Sequence, residues 1–202
     1  MQRLACFDTV AGTPAGLARP SATAAATASG TSVVTAASSP EAIAQPAIAD
    51  LVRRNESTRQ KESYQFLMSR SPDGGPDQSQ IVISAPALGA GDSPQGPWLA
   101  ISCKSGITRL QLLSPELLLD NRIRVSLAMD GRAISDATTW QVLESGNVVD
   151  SGRGLVAIEL LRRIGNGARL KIESSNASLD GREFDATGLK NLIDQEREAC
   201  HW

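Results

Sequence analysis

The sequence predicts a mainly β fold with late helices, an antiparallel β-sandwich-like domain closed by a disulfide-docked C-terminal helix. Three observations predict it. From Tyr64 onward, short alternating apolar runs are separated by Gly, Pro, Asn and Asp turn signals, the pattern of antiparallel strands. Two late runs instead repeat their apolar residues at helical spacing: Leu155, Ile158, Leu161 and Ile164, then Leu189, Leu192, Ile193 and Cys200. Finally, a chain end normally frays unless something ties it down. Here the end carries an apolar stripe, a terminal Trp202 and Cys200 in its last turn.

Taken in order, residues 1–12 form an island around RLACFD that ends in a Gly turn. Residues 13–63 are an Ala, Ser, Thr and Pro-rich linker that cannot bury enough area to offset its ordering entropy. Within it, AIADLVRRNESTRQKE allows a short amphipathic helix over Ile48, Leu51 and Val52, read as surface structure rather than core. The β domain spans 64–202. QIVISA puts Ile81 and Ile83 on one face, and a Gly/Pro loop leads to WLAISC. A Lys-Ser-Gly turn returns the chain in ITRLQLL, so Trp98–Leu113 reads as a hairpin with Cys103 near its tip, on a face shared with Leu99 and Ile101.

RIRVSLAM is the clearest strand: Ile123, Val125, Leu127 and Met129 face in, while Arg122, Arg124 and Ser126 face out. Asp130-Gly131 is a hairpin signal leading to TTWQVL, with Trp140 and Val142 inward. A Ser-Gly-Asn turn and the segment SGRG precede the helix LVAIELLRRI, which Gly165-Asn166-Gly167 closes as a C-cap. ARLKIES alternates again, with Leu170 and Ile172 inward and Arg169, Lys171 and Glu173 outward. Asp180-Gly181 turns the chain into its final strand and helix, with Thr187 as N-cap. The sum is about six to eight strands.

Composition narrows the function classes. The net charge of -2 gives no electrostatic reason to expect nucleic acid or an anionic membrane as partner. No run approaches the length of a membrane span. Aromatics are only 3% of the chain, so Trp98, Trp140 and Trp202 are assigned to the core rather than to a ligand site. His201 is the single histidine, which leaves serine hydrolase or His-based acid–base chemistry resting on one terminal residue. The carboxylates Asp130, Asp136, Glu144, Asp150, Glu159, Asp180 and Asp185 are read mostly as turn residues. A carboxylate pair of the glycosidase type stays open, because pairing in space is invisible in sequence. The glycine-rich segments lack phosphate-loop spacing, and no cofactor is expected.

Cys103 and Cys200 have two readings, a disulfide or a metal or reactive-thiol site. Zinc needs about four ligands at characteristic spacings, and beside the thiols only His201 is at hand, so no metal is expected. The structural reading is preferred. A bridge closing so long a loop stabilises by up to about 4–5 kcal/mol in the chain-entropy model. Arg109, Arg122, Arg124, Arg132, Arg162, Arg163, Arg169 and Lys171 make the outward faces basic. They read as a solvated face, with a partner- or glycan-binding surface centred on Arg109, Arg122, Arg124, Arg169 and Lys171 as the alternative.

The ordered set RLACFD, LAISCKSGITRLQL, NRIRVSLAMDGRA, TTWQVLESG, VAIELLRRI and REFDATGL, ending in REACHW, resembles the VasI or TagO family of accessory proteins from bacterial type VI secretion gene clusters. The FDATGL and REAC segments carry most of its specificity. The resemblance implies an exported, periplasmic, non-catalytic adaptor that binds protein components of the secretion apparatus or an effector. A peptidoglycan- or glycan-binding envelope module, or a carboxylate-dependent cell-wall hydrolase, are the alternatives. Members of the family carry a signal peptide and an earlier cysteine, apparently the partner of the position matching Cys6. MQRLACFDTVAG is not a signal peptide, since Asp8 breaks its short apolar patch. The expectation is therefore a true start upstream of Met1, with a truncated copy whose Cys6 is unpaired as the alternative.

Overall fold

The computed structural model describes residues 47–61, 63–71, 80–89 and 96–202. The RLACFD island with Cys6, the linker up to residue 46 and the tip of the Gly/Pro loop lie outside the described residues.

Ten strands form one sheet: β1 (Leu67–Ser71), β2 (Gln80–Pro86), β3 (Trp98–Lys104), β4 (Ile107–Leu113), β5 (Arg122–Met129), β6 (Arg132–Ala133), β7 (Thr138–Val142), β8 (Val148–Arg153), β9 (Arg169–Ser174) and β10 (Glu183–Asp185). Helix α1 (Ile48–Ser57) precedes them, α2 (Leu155–Arg163) follows β8, and α3 (Leu189–Cys200) ends the chain. Along the sheet the order is β1-β2-β3-β4-β8-β7-β5-β9-β10, with β6 hairpinned onto β5. Every strand pair is antiparallel.

The two layers of the expected sandwich come from this one sheet curling on itself. Its ends meet where Gln65 bridges Asp185 and the Leu88 N–H donates to the Glu183 carbonyl at 2.7 Å. Phe66 and Phe184 pack there, ring centroids 6.4 Å apart. Inside the curl the alternation read from sequence is realised: Ile81, Ile83, Leu99, Ile101, Ile123, Val125, Leu127, Leu170 and Ile172 are all buried in one cluster. Cys103 belongs to that cluster, and α2 and α3 cover it with Ala157, Leu160, Leu161, Leu189 and Ile193. Both tight turns form where Asp-Gly and Ser-Gly place residues of positive φ: Ser105 and Gly106, then Asp130 and Gly131. The Asp130 carboxylate also accepts the Arg169 N–H at 2.8 Å, tying this turn to the start of β9.

Several local expectations are corrected. Leu155 is 74% exposed, because α2 turns Ala157, Ile158, Leu160 and Leu161 inward instead. That helix stops at Arg163 with Ile164 extended, so Gly165-Asn166-Gly167 lies beyond its cap. A Cβ on Gly167 would collide with Met129, which is a packing reason for glycine there. The N-cap of α3 is Gly188 in the left-handed region, and Thr187 instead gives its N–H to Asp185. Strand β8 had no sequence reading as a strand: VVDSGR resembles a turn, yet it sits between β4 and β7.

Helix α1, read as surface structure, covers a second core on the outer face of the sheet. Leu51 and Val52 are buried there against Val82, Trp98, Ala100, Leu113 and Val148. Burial of each such side chain is worth roughly 1.5–3 kcal/mol. A buried polar cluster completes the anchorage. Asn55 donates to Ser84 Oγ at 2.8 Å and to the Leu67 carbonyl at 3.0 Å. Arg59 is paired with Glu56 and donates to the carbonyls of Ser63, Gln65 and Ser84.

Candidate functional site

Cys103 and Thr108 face each other across the β3–β4 hairpin. One turn of α3 separates Glu196 from Cys200, so both side chains project from the same stretch of helix towards that cross-strand pair. Cys200 is bonded to Cys103, with Cα atoms 6.3 Å apart across 97 residues of sequence. Glu196 Oε1 accepts the Thr108 hydroxyl at 2.8 Å. The chain then reverses through His201, in the left-handed region, and Trp202 Nε1 donates back to Glu196 Oε2 at 3.1 Å. Arg162 and Arg197 lie 5.7 and 5.8 Å from the Trp202 ring, within cation–π range. Arg197 also donates to the Trp202 carbonyl at 2.8 Å. The tail is thus held covalently, by hydrogen bonds and by stacking.

Glu196 is fully buried. Burial raises its carboxyl above the usual carboxylate range, and the hydrogen bonds from Thr108 and Trp202 pull the other way without cancelling it. Cys103, Glu196 and Cys200 bring their ligand-type atoms within 4.8 Å of one another. As a disulfide the two sulfurs offer no thiolates, the form in which cysteine binds metal. The bridge and the Thr108–Glu196–Trp202 hydrogen bonds hold the tail against the sheet. Nothing in the sequence flagged Glu196 or Thr108; in hindsight, Glu196 stands i−4 from Cys200.

The other residues singled out from sequence are distributed over the sheet. Trp140 and Trp98 are 1% and 7% exposed, Trp140 in the inner core and Trp98 under α1. Trp202 is half-buried. Arg122, Arg124 and Arg169 are exposed on the outer surface of β5 and β9. Acids share that surface: Arg169 pairs in register with Asp185, Lys171 with Glu183, and Lys171 approaches Glu173 at 3.7 Å. Arg109 stands apart on β4, ion-paired with Asp150 of β8. Asp150, read as a turn residue, is only 4% exposed within a strand. His201 is exposed at the chain end.

Around that ion pair the outer face keeps an open groove of about 420 Å³ beside α1. It is lined by Ser102, Arg109 and Gln111, by Gln80 and Lys104, which pair in register across β2 and β3, and by the apolar Ile48, Leu51, Ile107 and Leu143. A broader hollow of about 1070 Å³ lies at the N-terminus of α1, lined by Leu118, Arg122, Gln141 and Glu144 among others.

A curled antiparallel sheet, a covalently locked tail and open grooves on the outer face define this β domain. The chain belongs to the family described as type VI secretion system VasI and EvfG, whose profile it matches over residues 1–202. No curated protein and no solved structure matches it.

Proposed function

We infer that this chain is a periplasmic, non-catalytic adaptor of a type VI secretion system, whose β domain binds another envelope component or an exported effector. Family membership ties it to the secretion system. The observation that carries the finer reading is the buried Cys103–Cys200 bridge, whose sulfurs are the tail's one covalent tie to the sheet. Structural disulfides of this kind persist in oxidising compartments and are rare in the bacterial cytosol. No helix among the described residues is long and apolar enough to cross a membrane. The chemistry around the lock points to stability, and the outer face offers the binding surface.

Two measurements test this reading. In native cells, Cys103 and Cys200 resist alkylation until the protein is reduced; immediate reaction of both thiols would remove the compartment assignment. Deletion of the gene lowers secretion or target-cell killing, and complementation restores it; unchanged killing would count against an adaptor role. Peptidoglycan turnover by the purified protein would instead make it an enzyme.

A further inference from the structure

The lock contains a group that holding the tail does not require. Glu196 is fully buried, and its carboxyl accepts the Thr108 hydroxyl and the Trp202 Nε1–H. A glutamine would meet the same two partners, its oxygen accepting from Trp202 and its NH₂ donating to the Thr108 oxygen. It would do so without an ionisable group, which burial penalises. The fold instead keeps an acid, and keeps it within 4.8 Å of both bridge sulfurs. Its partners suit both protonation states. Trp202 donates to the acid and to the anion alike, while the Thr108 hydroxyl turns from acceptor to donor when the proton leaves. Among the described residues no cation is ion-paired with Glu196. Strands β3 and β4 meet it with Cys103 and Thr108, Arg162 of α2 and Arg197 of α3 lie over the Trp202 ring, and His201 is exposed.

Opening the bridge leaves a thiolate in this same interior. A buried, unpaired anion is costly, and apolar surroundings make a thiol hold its proton more tightly. A neutral carboxyl beside the sulfurs supplies that proton, and Thr108 and Trp202 hold the carboxylate that results. We propose that Glu196 is the proton donor and acceptor for dithiol exchange at the Cys103–Cys200 bridge, so that a dithiol partner opens and closes the lock. Access is from the tail end. Cys200 sits in the last turn of α3, near an open hollow of about 610 Å³ against Arg197, His201 and Trp202. Trp202 both lines that hollow and bonds Glu196, so local opening of the tail clears the route to Cys200. A thiolate of the dithiol attacks Cys200 Sγ. The S–S bond breaks, its electron pair leaves on Cys103 Sγ, and the Glu196 proton passes to that sulfur. The second thiolate of the dithiol then attacks its partner's sulfur in the mixed disulfide with Cys200. That closes the dithiol's own disulfide and releases Cys200, which takes a proton from water. Two electrons pass to the bridge, and the two protons that the dithiol gives to water balance those the cysteines gain. Glu196 is reprotonated from water, and an oxidised dithiol closes the bridge by the same steps in reverse.

The test uses the full oxidised chain and dithiothreitol, with opening followed as the mass gained on thiol alkylation. Rates are divided by the concentration of dithiothreitol thiolate, which removes the reductant's own titration. The normalised rate is highest at acidic pH and falls as pH rises through the raised Glu196 value, because the donor form is lost. Glu196→Gln lowers the rate at acidic pH by at least about tenfold and removes the pH dependence. A purely structural role gives the opposite sign, since a loosened tail exposes Cys200 and speeds reduction. At acidic pH the native carboxyl is uncharged too, so loss of a buried charge does not account for a slower variant. In denaturing urea the two chains open at equal rates, and a difference that persists there overturns the proposal. So does a flat profile for the native chain, a Glu196→Gln rate equal to or above it, or a rate independent of dithiothreitol. The profile of the native chain decides the matter even where Glu196→Gln folds poorly.

Discussion

On the inner face of the curled sheet, apolar strands meet apolar helices, and the last element is bolted down by Cys103–Cys200 and by Glu196. On the outer face, α1 packs on Val82, Trp98, Ala100, Leu113 and Val148, and noncovalent contacts hold it. Beside it a polar row runs across the sheet: Gln111, Asp150 and Gln141 stand side by side on β4, β8 and β7. One sheet thus carries a sealed face and an open one. The seal lets a domain with few aromatics keep one face in water with grooves in it.

The largest expected effect breaks the sealed face. Cys200→Ser, measured by urea denaturation without reductant, lowers unfolding stability by about 4 kcal/mol, the loop-closure contribution for a separation near a hundred residues. A loss equal to that of an ordinary surface substitution would show that the tail is held by packing alone. On the open face, Leu51→Ala lowers stability by about 2 kcal/mol, at the low end for a core deletion because the helix edge can relax. It also speeds proteolysis around α1 while leaving the Cys103–Cys200 bridge intact. Simultaneous loss of both faces would show that the two cores unfold as one.

The contribution of Glu196 sharpens the contrast through pH. Burial favours its protonated form in the folded state, so stability is fullest below the ordinary carboxyl value of 4.5 and declines as pH rises through the raised value. Glu196→Gln flattens that decline in denaturation curves recorded between acidic and neutral pH. If the variant keeps the slope, other groups set it. The smallest effect is at Leu155, 74% exposed on α2. Leu155→Ser changes the thermal midpoint by an amount corresponding to no more than about 0.5 kcal/mol, the surface range; a larger loss would mean that Leu155 is covered in solution.

Sequence by itself determined the strands with strict alternation, the Ser-Gly and Asp-Gly turns, the late helices and the cysteine pairing. Each of these rests on local periodicity, on a turn geometry few residues can adopt, or on cysteine chemistry. RIRVSLAM shows this best, since its in–out pattern is the observed burial of β5. Only the tertiary structure decided that VVDSGR is an interior strand, because its fit depends on Gln111 and Arg109 of a distant strand receiving Asp150. It alone decided which side of α2 faces in, since the leucines and isoleucines of LVAIELLRRI nearly encircle the helix and the sheet chooses among them. Glu196 was invisible for the same physical reason. A polar residue's role is set by the partner that reaches it across space, and no spacing along the chain encodes that partner.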